Sequence, residues 1–402
     1  MRHSIYLLVP LLSIASTAYG EVFSASNSGM GGVGVASSKL DSAAYNNPAL
    51  LTRPNGSKNT VITIPSLGVE ASDKDDVMDT VDDIQVLFDD FEADVQALAD
   101  NPTPSNQARA EQSFDEVIST LKAIDDKPIT ARGSALLSIA TRFDNWAFAL
   151  ESRQSFIGNS RLKFDSEDEN LLQRAVDNAD PSLINDIETK VNASGVVLNE
   201  TVLSIAKNIT VKGQDLAVGI SPKLVEVDTY FYSQGADNFD RDNLDINDYR
   251  KSNSAVNIDV GLAYFLSDSV TAGIIFRDLM SQEFTTVTEN DESDEYQTKL
   301  SSTLGIALSK PFYSVALDVD LIPKSGFKSV KESHFVRVGA ELDAWGWAQF
   351  RAGARVDLNA ERENVITGGI NLSPYNTVHL GLSGFSGGNN TAGVAADFKI
   401  LF

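Results

Sequence analysis

Residues 335–357 read FVRVGAELDAWGWAQFRAGARVD, a stretch that spells two strands and the turn between them. Val336, Val338, Ala340 and Leu342 alternate with Arg337, Gly339, Glu341 and Asp343. Beyond Trp345 and Gly346, Ala348, Phe350, Ala352, Ala354 and Val356 alternate with Gln349, Arg351, Gly353, Arg355 and Asp357. A period of two marks a strand with one apolar face, because successive side chains point to opposite sides of a sheet. In a soluble sandwich that face would line a core between sheets. In an outer-membrane barrel it meets lipid, and the charged face lines the lumen. Alternation alone does not choose between these, so the connections decide.

The same pattern recurs on both sides of this hairpin. Tyr313, Val315, Leu317, Val319 and Leu321 oppose Ser314, Ala316, Asp318 and Asp320, and Val394, Ala396, Phe398, Ile400 and Phe402 oppose Ala395, Asp397, Lys399 and Leu401. Strands are expected at 58–70, 131–142, 145–156, 196–209, 214–231, 253–266, 270–288, 298–309, 312–322, 333–343, 347–358, 365–373, 377–385 and 391–402, fourteen in all. Connections after even-numbered strands are short turns at 143–144, 212–213, 267–268, 310–311, 345–346 and 374–375. Those after odd-numbered strands are mostly longer and polar, above all 71–130, 157–195 and 232–252. An up-and-down barrel sorts its connections in this way, with short turns on the periplasmic side and loops outside. The expected fold class is therefore all-β, an antiparallel outer-membrane barrel of about fourteen strands.

Composition supports this reading. The 402 residues include no cysteine, which excludes disulfides, thiolate zinc sites and Cys redox chemistry. The formal charge of −24 argues against a nucleic-acid partner, which needs a basic surface. That charge is localised. Segments 73–126, 165–190, 236–248 and 289–295 carry −13, −6, −4 and −5, leaving +4 for the rest, and all four fall on the long-loop side. Arg2 and His3 precede an apolar run over residues 5–15, and Ala18 and Gly20 suit the −3 and −1 positions of a signal-peptidase site. Residues 1–20 are expected to be a cleaved signal peptide, exporting the chain to the outer membrane of a Gram-negative bacterium.

Within the first long loop, Val77, Val81, Ile84, Phe88, Phe91, Val95 and Leu98 recur at helical spacing. Pro102 and Pro104 interrupt the stripe, and Phe114, Val117, Ile118, Leu121 and Ile124 resume it, giving a helical hairpin; a further helix is expected at 169–187. The hairpin can be a solvated cap on the loops, a lid over the lumen, or a docking surface for another protein.

Two blocks near the mature N-terminus stand apart. Gly29-Met30-Gly31-Gly32-Val33-Gly34 satisfies G-x-G-x-x-G in form, but no strand precedes it and no long helix follows, so no nucleotide site is expected. Asn46-Asn47-Pro48-Ala49-Leu50 is an ordinary turn or something more specific. Together, after a signal peptide, these blocks resemble the N-terminus of FadL-like outer-membrane transporters, and more narrowly the barrel-type proteins labelled conjugal transfer TraF. The resemblance is motif-like over 21–55 and architectural beyond it. It implies that residues 21–57 form a plug or hatch within the barrel of residues 58–402, with Gly29, Gly31, Gly32, Gly34, Asn46, Asn47 and Pro48 as its signature. It also implies diffusion of a hydrophobic small molecule past the hatch. A fourteen-strand barrel favours such a filler: eight strands are packed by their own side chains, whereas sixteen or more leave an open channel.

Candidate lumen residues are Arg337, Arg351 and Arg355 with Glu341, Asp343, Asp357 and His379. They can form a network stiffening the wall, or a patch binding a carboxylate, which suits the arginine fork. A hydrolase would need a serine beside a histidine, and neither His334 nor His379 lies in a recognisable motif, so no enzyme and no cofactor are expected. Outer-membrane lipid is the expected surrounding of a monomer. Two functions compete: passage of a hydrophobic small molecule, or a TraF-type role in conjugal transfer with the acidic insertion docking a protein partner.

Overall fold

The computed structural model describes residues 22–53, 58–211, 213–235, 246–324, 326–388 and 390–402. The expected signal peptide, residues 54–57 of the expected plug segment, and most of the acidic loop 236–248 lie outside them. Fourteen antiparallel strands close into a barrel. The first six are β1 (Thr60–Ser72), β2 (Ile129–Phe143), β3 (Trp146–Lys163), β4 (Lys190–Val211), β5 (Gln214–Gly235) and β6 (Arg250–Phe265). The other eight are β7 (Val270–Arg277), β10 (Ser301–Lys310), β11 (Tyr313–Ile322), β12 (Phe335–Ala344), β13 (Ala348–Asp357), β14 (Val365–Leu372), β15 (Val378–Gly387) and β16 (Thr391–Leu401). Two further strands, β8 (Gln282–Thr285) and β9 (Glu295–Thr298), make a separate small sheet between β7 and β10. β1 pairs with both β2 and β16, so the barrel has no free seam there. Its register shifts between Thr63 and Ser66, where Pro65 has no N–H to give the ladder.

The period-two faces point as the sequence pattern requires. On β12, Arg337, Gly339 and Glu341 turn inward while Val338 and Leu342 face out. Phe143, Trp146, Phe148, Phe312, Tyr313, Trp345 and Trp347 are exposed around the short-turn end. They form the aromatic girdle expected at a membrane interface.

The wall is lopsided. β7 and β10–β16 are 8–11 residues long, about what a tilted strand needs to span a bilayer. β4 and β5 have 22 residues each, or roughly 70 Å at 3.3 Å per residue, and rise well past the outer interface. Both ends of the expected loop insertion 157–195 are therefore strand, as β3 runs on to Lys163 and β4 begins at Lys190. Alternation was absent from this part because it is buried on both faces: residues 158–162 are all buried in turn.

The outward face of that extension carries the helical insertion. Helices α3 (Val77–Asp100) and α4 (Pro104–Ile124) form the expected hairpin. These labels count two short N-terminal helices, α1 (Ala25–Ser28) and α2 (Ala43–Asn46), described below. α5 (Ser166–Asn178) is shorter than the expected 169–187, because the chain leaves it at Ala179 in a left-handed conformation and passes through Pro181 into a 3-10 turn. Phe91, Val95, Phe114, Val117 and Leu121 pack with Leu172 and Val176 of α5 against Ile129, Ala131, Phe156 and Leu162. Thr130 and Arg132 point inward, so Ile129 and Ala131 lie on the barrel's outer side, as Phe156 does on β3. The hairpin is thus a buttress outside the wall and not a lid over the lumen.

The strand expected over 270–288 ends at Arg277. Asp278 has φ of 53°, which breaks the extended run, and Lys223 Nζ holds its carboxylate at 2.7 Å. The chain then folds inward as the β8–β9 hairpin.

Phe91→Ala, in a fully buried position of the hairpin, is expected to cost about 3 kcal/mol locally. Limited proteolysis should then cut 73–126 faster, while the barrel keeps its folded mobility on an unheated gel.

Candidate functional site

The lumen is filled from the short-turn end by residues 22–52. This segment has little regular structure: α1, α2 and a 3-10 turn at Pro48–Thr52. Those backbone groups that its own turns leave unpaired must therefore find partners on the wall. Phe23 N donates to Ser134 Oγ at 2.7 Å, and Ser66 Oγ donates to Phe23 O at 3.1 Å. Ala25 N donates to Asp397 Oδ2 at 3.0 Å. Thr367 Oγ1 accepts from Gly31 N at 2.9 Å and donates to Gly29 O at 3.0 Å. Asp318 Oδ2 accepts from both Gly34 N (2.7 Å) and Val35 N (3.0 Å). Arg277 donates to Tyr45 O at 2.7 Å and Asn46 O at 2.9 Å.

Asn47 ties the segment to itself and to the wall. Its Nδ2 donates to Val35 O (2.9 Å) and Leu262 O (3.0 Å), and its Oδ1 accepts from Ala49 N (3.1 Å), capping the 3-10 turn that begins at Pro48. Asn46 Nδ2 donates to Ser38 Oγ at 2.8 Å. Leu40, Leu50 and Leu51 fill the space inside a ring of small wall residues, including Ala149, Ala206, Ala217 and Ala263.

The glycine run earns its composition by contact. Gly31 has φ of +72°, and a Cβ there would overlap the carbonyls of Ala354 and Val338. The wall answers with glycine of its own: side chains at Gly339 or Gly353 would strike the Met30 backbone, and one at Gly68 would strike Phe23. At Gly261 a side chain would strike Asn47, and at Gly273 the Val35 carbonyl. These wall glycines escaped the sequence reading. The signal that could have found them is the repeated appearance of glycine on the polar face of successive strands.

Two ion clusters fasten the plug further. Lys39 Nζ reaches Glu341 Oε1 at 2.8 Å, whose other oxygen accepts from Arg351 Nε at 2.8 Å. Lys399 Nζ lies 2.7 Å from Asp41 and 2.9 Å from Asp397. Burial would raise the Asp41 carboxyl, but Lys399 and Lys39 hold it well below the ordinary carboxylate range.

The lumen is closed at its outer end as well. Phe284, Tyr296 and Phe327, from the β8–β9 hairpin and the loop after β11, pack inward on Val196, Leu198, Val225 and Val227. Ser194 Oγ donates to Asp294 Oδ2 at 2.7 Å, and Lys163 Nζ reaches Glu292 Oε1 at 2.8 Å, pinning the hairpin to β3 and β4. Between plug and lid lies a cavity of about 200 Å³. One flank carries Arg132, Arg337, Arg355, Phe23, Phe335 and Phe385; the other carries Arg153, Lys223, Glu200, Asp259 and Asp278.

The candidate lumen residues sort differently from the grouping expected. Arg351 pairs with Glu341, but Arg337 makes a two-pronged pair with Asp320 at 2.7 and 3.1 Å. Arg355 spans the lumen to Glu70 of β1 at 2.7 Å. Asp357 accepts from the backbone N–H groups of His334, Glu361 and Arg362 and so organises the loop after β13. Asp343 sits at the turn end of β12 opposite Gln349, and His379 Nδ1 lies 3.4 Å from Asn371 Nδ2. Glu70 pairs with Arg132 directly across the β1–β2 ladder and Asp320 with Arg337 on the adjacent β12, whereas the contact of Glu70 with Arg355 is set by barrel closure.

Fourteen strands, a plug and a lid define an outer-membrane barrel of FadL-like architecture. The chain belongs to the family described as F plasmid transfer operon, TraF, protein, whose model matches residues 44–320. No curated protein sequence matches it. Among solved structures it is similar to the toluene transporter TbuX of Ralstonia pickettii, with 11% identity and a TM-score of 0.56 over 96% of this chain and 99% of that one. It is also similar to the toluene transporter TodX of P. putida (12%, TM-score 0.52, 96% and 99%) and to the monoaromatic hydrocarbon channel CymD (11%, TM-score 0.52, 96% and 98%). At such identities the likeness shows the fold.

Gly353→Leu should drive the Met30–Gly31 backbone off the wall. With Ser26→Cys as the only thiol in the chain, labelling from the short-turn side is expected to rise several-fold over the same cysteine in the parent wall.

Proposed function

We propose that this protein is an outer-membrane channel that admits a small, largely hydrophobic molecule to its lumen, with residues 21–57 as the hatch and residues 1–20 as the export signal. The observation that carries this reading is the cavity held between plug and lid, with aromatic side chains on both of its boundaries. A structural barrel would have no use for a chamber lined by Phe23, Phe284, Phe335 and Phe385. The hydrocarbon channels that share the fold lend the reading support. Passage requires the outer lid to swing and the hatch to shift, since side chains from both ends line the chamber.

Position favours a second reading for the helical insertion alone. Because the hairpin buttresses the wall from outside, its outer surface, with Asp89, Asp90, Glu92, Glu111, Asp115 and Glu116 exposed, is available to a protein partner without blocking the lumen. That is compatible with a role in conjugal transfer carried by the same molecule.

The paired variant Ser194→Cys/Asp294→Cys tests the channel. Oxidation should lock the lid and abolish toluene entry into proteoliposomes, and reduction should restore it; entry indifferent to the lock would overturn the reading. Converting the six exposed hairpin carboxylates to amides should leave entry within about twofold of the parent, since surface charges this far from the lumen are screened over about 10 Å.

A further inference from the structure

We propose that the lumen cavity binds a small aromatic carboxylate, its acid group held by Arg132 and Arg355 and its ring by Phe23, Phe335 and Phe385. The proposal rests on the channel reading and narrows its ligand from any hydrophobic molecule to an amphipathic anion.

The arginines are placed for this by buried carboxylates. Glu70, 3% exposed, accepts from an Nη of Arg132 on the neighbouring strand with one oxygen and from Arg355 Nη2 with the other, at 2.7 Å. β13 is separated from β1 by three strands in the barrel order, so this pair crosses the lumen and does not merely stiffen one ladder. Both guanidiniums line the cavity, and each lies over a ring. Arg355 and Arg337 stand 5.1 and 5.0 Å from the Phe335 centroid, and Arg132 stands 5.9 Å from that of Phe23. Phe23 in turn stacks on Phe385 at 5.8 Å with 9° between planes.

Guanidinium forks fixed in this way suit a planar carboxylate, which offers charge-assisted hydrogen bonds that a hydrocarbon cannot. A neutral hydrocarbon in the same place would strip water from these cations and return no hydrogen bond, which is costly for a buried charge. The opposite flank has less to offer an anion, because its cations are already engaged: Lys223 is surrounded by Glu200, Asp259 and Asp278 at 3.3, 3.1 and 2.7 Å, and Arg153 pairs with Glu200 at 3.3 Å. A carboxylate therefore has one orientation, toward β1, β2 and β13. Size sets the rest. About 200 Å³ holds one ring and its substituent, since a cavity near 150 Å³ already admits benzene.

Calorimetric titration of the full chain in detergent with benzoate, toluene and acetate tests this. Benzoate is expected to bind more tightly than either of the others. Arg132→Gln and Arg355→Gln should each weaken benzoate about tenfold, the scale of one charge-assisted hydrogen bond, and change toluene less than twofold. Should a glutamine variant fail to fold, Arg132→Lys keeps the charge, loses the fork, and should still weaken benzoate. Benzoate binding untouched by these substitutions, or toluene binding without benzoate, would overturn the assignment and leave the channel standing. If neither molecule binds nor enters proteoliposomes, the channel reading falls with it.

Discussion

The structure depends on the satisfaction of one segment's backbone. Residues 22–52 enter the barrel as two four-residue helices, a 3-10 turn and a series of tight turns, such as those closed by Gly32 N to Asn27 O and Ala43 N to Lys39 O, which satisfy only part of their backbone. Buried N–H and C=O groups left without partners would cost too much to keep the segment inside. The wall supplies those partners through Asp318, Thr367, Asp397, Ser134 and Arg277, and makes room for the backbone with glycines at the points of closest approach. Residues far apart in sequence, such as Gly34 and Asp318, are therefore parts of one contact.

The lopsided wall follows from what its two faces must hold. Strands that only cross the membrane stop at 8–11 residues; β3–β5 continue because their inner face receives the lid and the outer face of β2 and β3 receives the helical buttress. Apolar surface above the membrane would otherwise face water, and the α3–α4 hairpin with α5 removes it. The acidic charge of these segments remains on their outer side, away from the lumen.

Plug and lid meet at β7. Arg277 grips the carbonyls of Tyr45 and Asn46, and the next residue, Asp278, pairs with Lys223 as the chain turns toward β8. The strand end that holds the plug is thus the hinge from which the lid departs. Glu292, at the lid's far side, is held below its ordinary range by Lys163 and Asn192 despite partial burial. The two closures are thus fastened to the wall through two adjacent residues.

The sequence by itself determined the barrel, its strand number, the sorting of turns from loops and the helical hairpin. Each of these follows from a local period: two for half-buried strands, near 3.6 for the apolar stripe from Val77 to Leu98. It failed over 157–162, where burial on both faces erased the period, and over 278–288, where Phe284 belongs to the lid strand β8 and not to the barrel wall. The Gly29–Gly34 and Asn46–Pro48 blocks stood out by composition, but their partners did not. Only the tertiary structure decided that Arg355 meets Glu70, that Arg337 meets Asp320 and that Asp357 turns to a loop. Side-chain parity says which residues face the lumen; which of them meet across it depends on closure and stagger of the whole wall, a global quantity that no local pattern encodes.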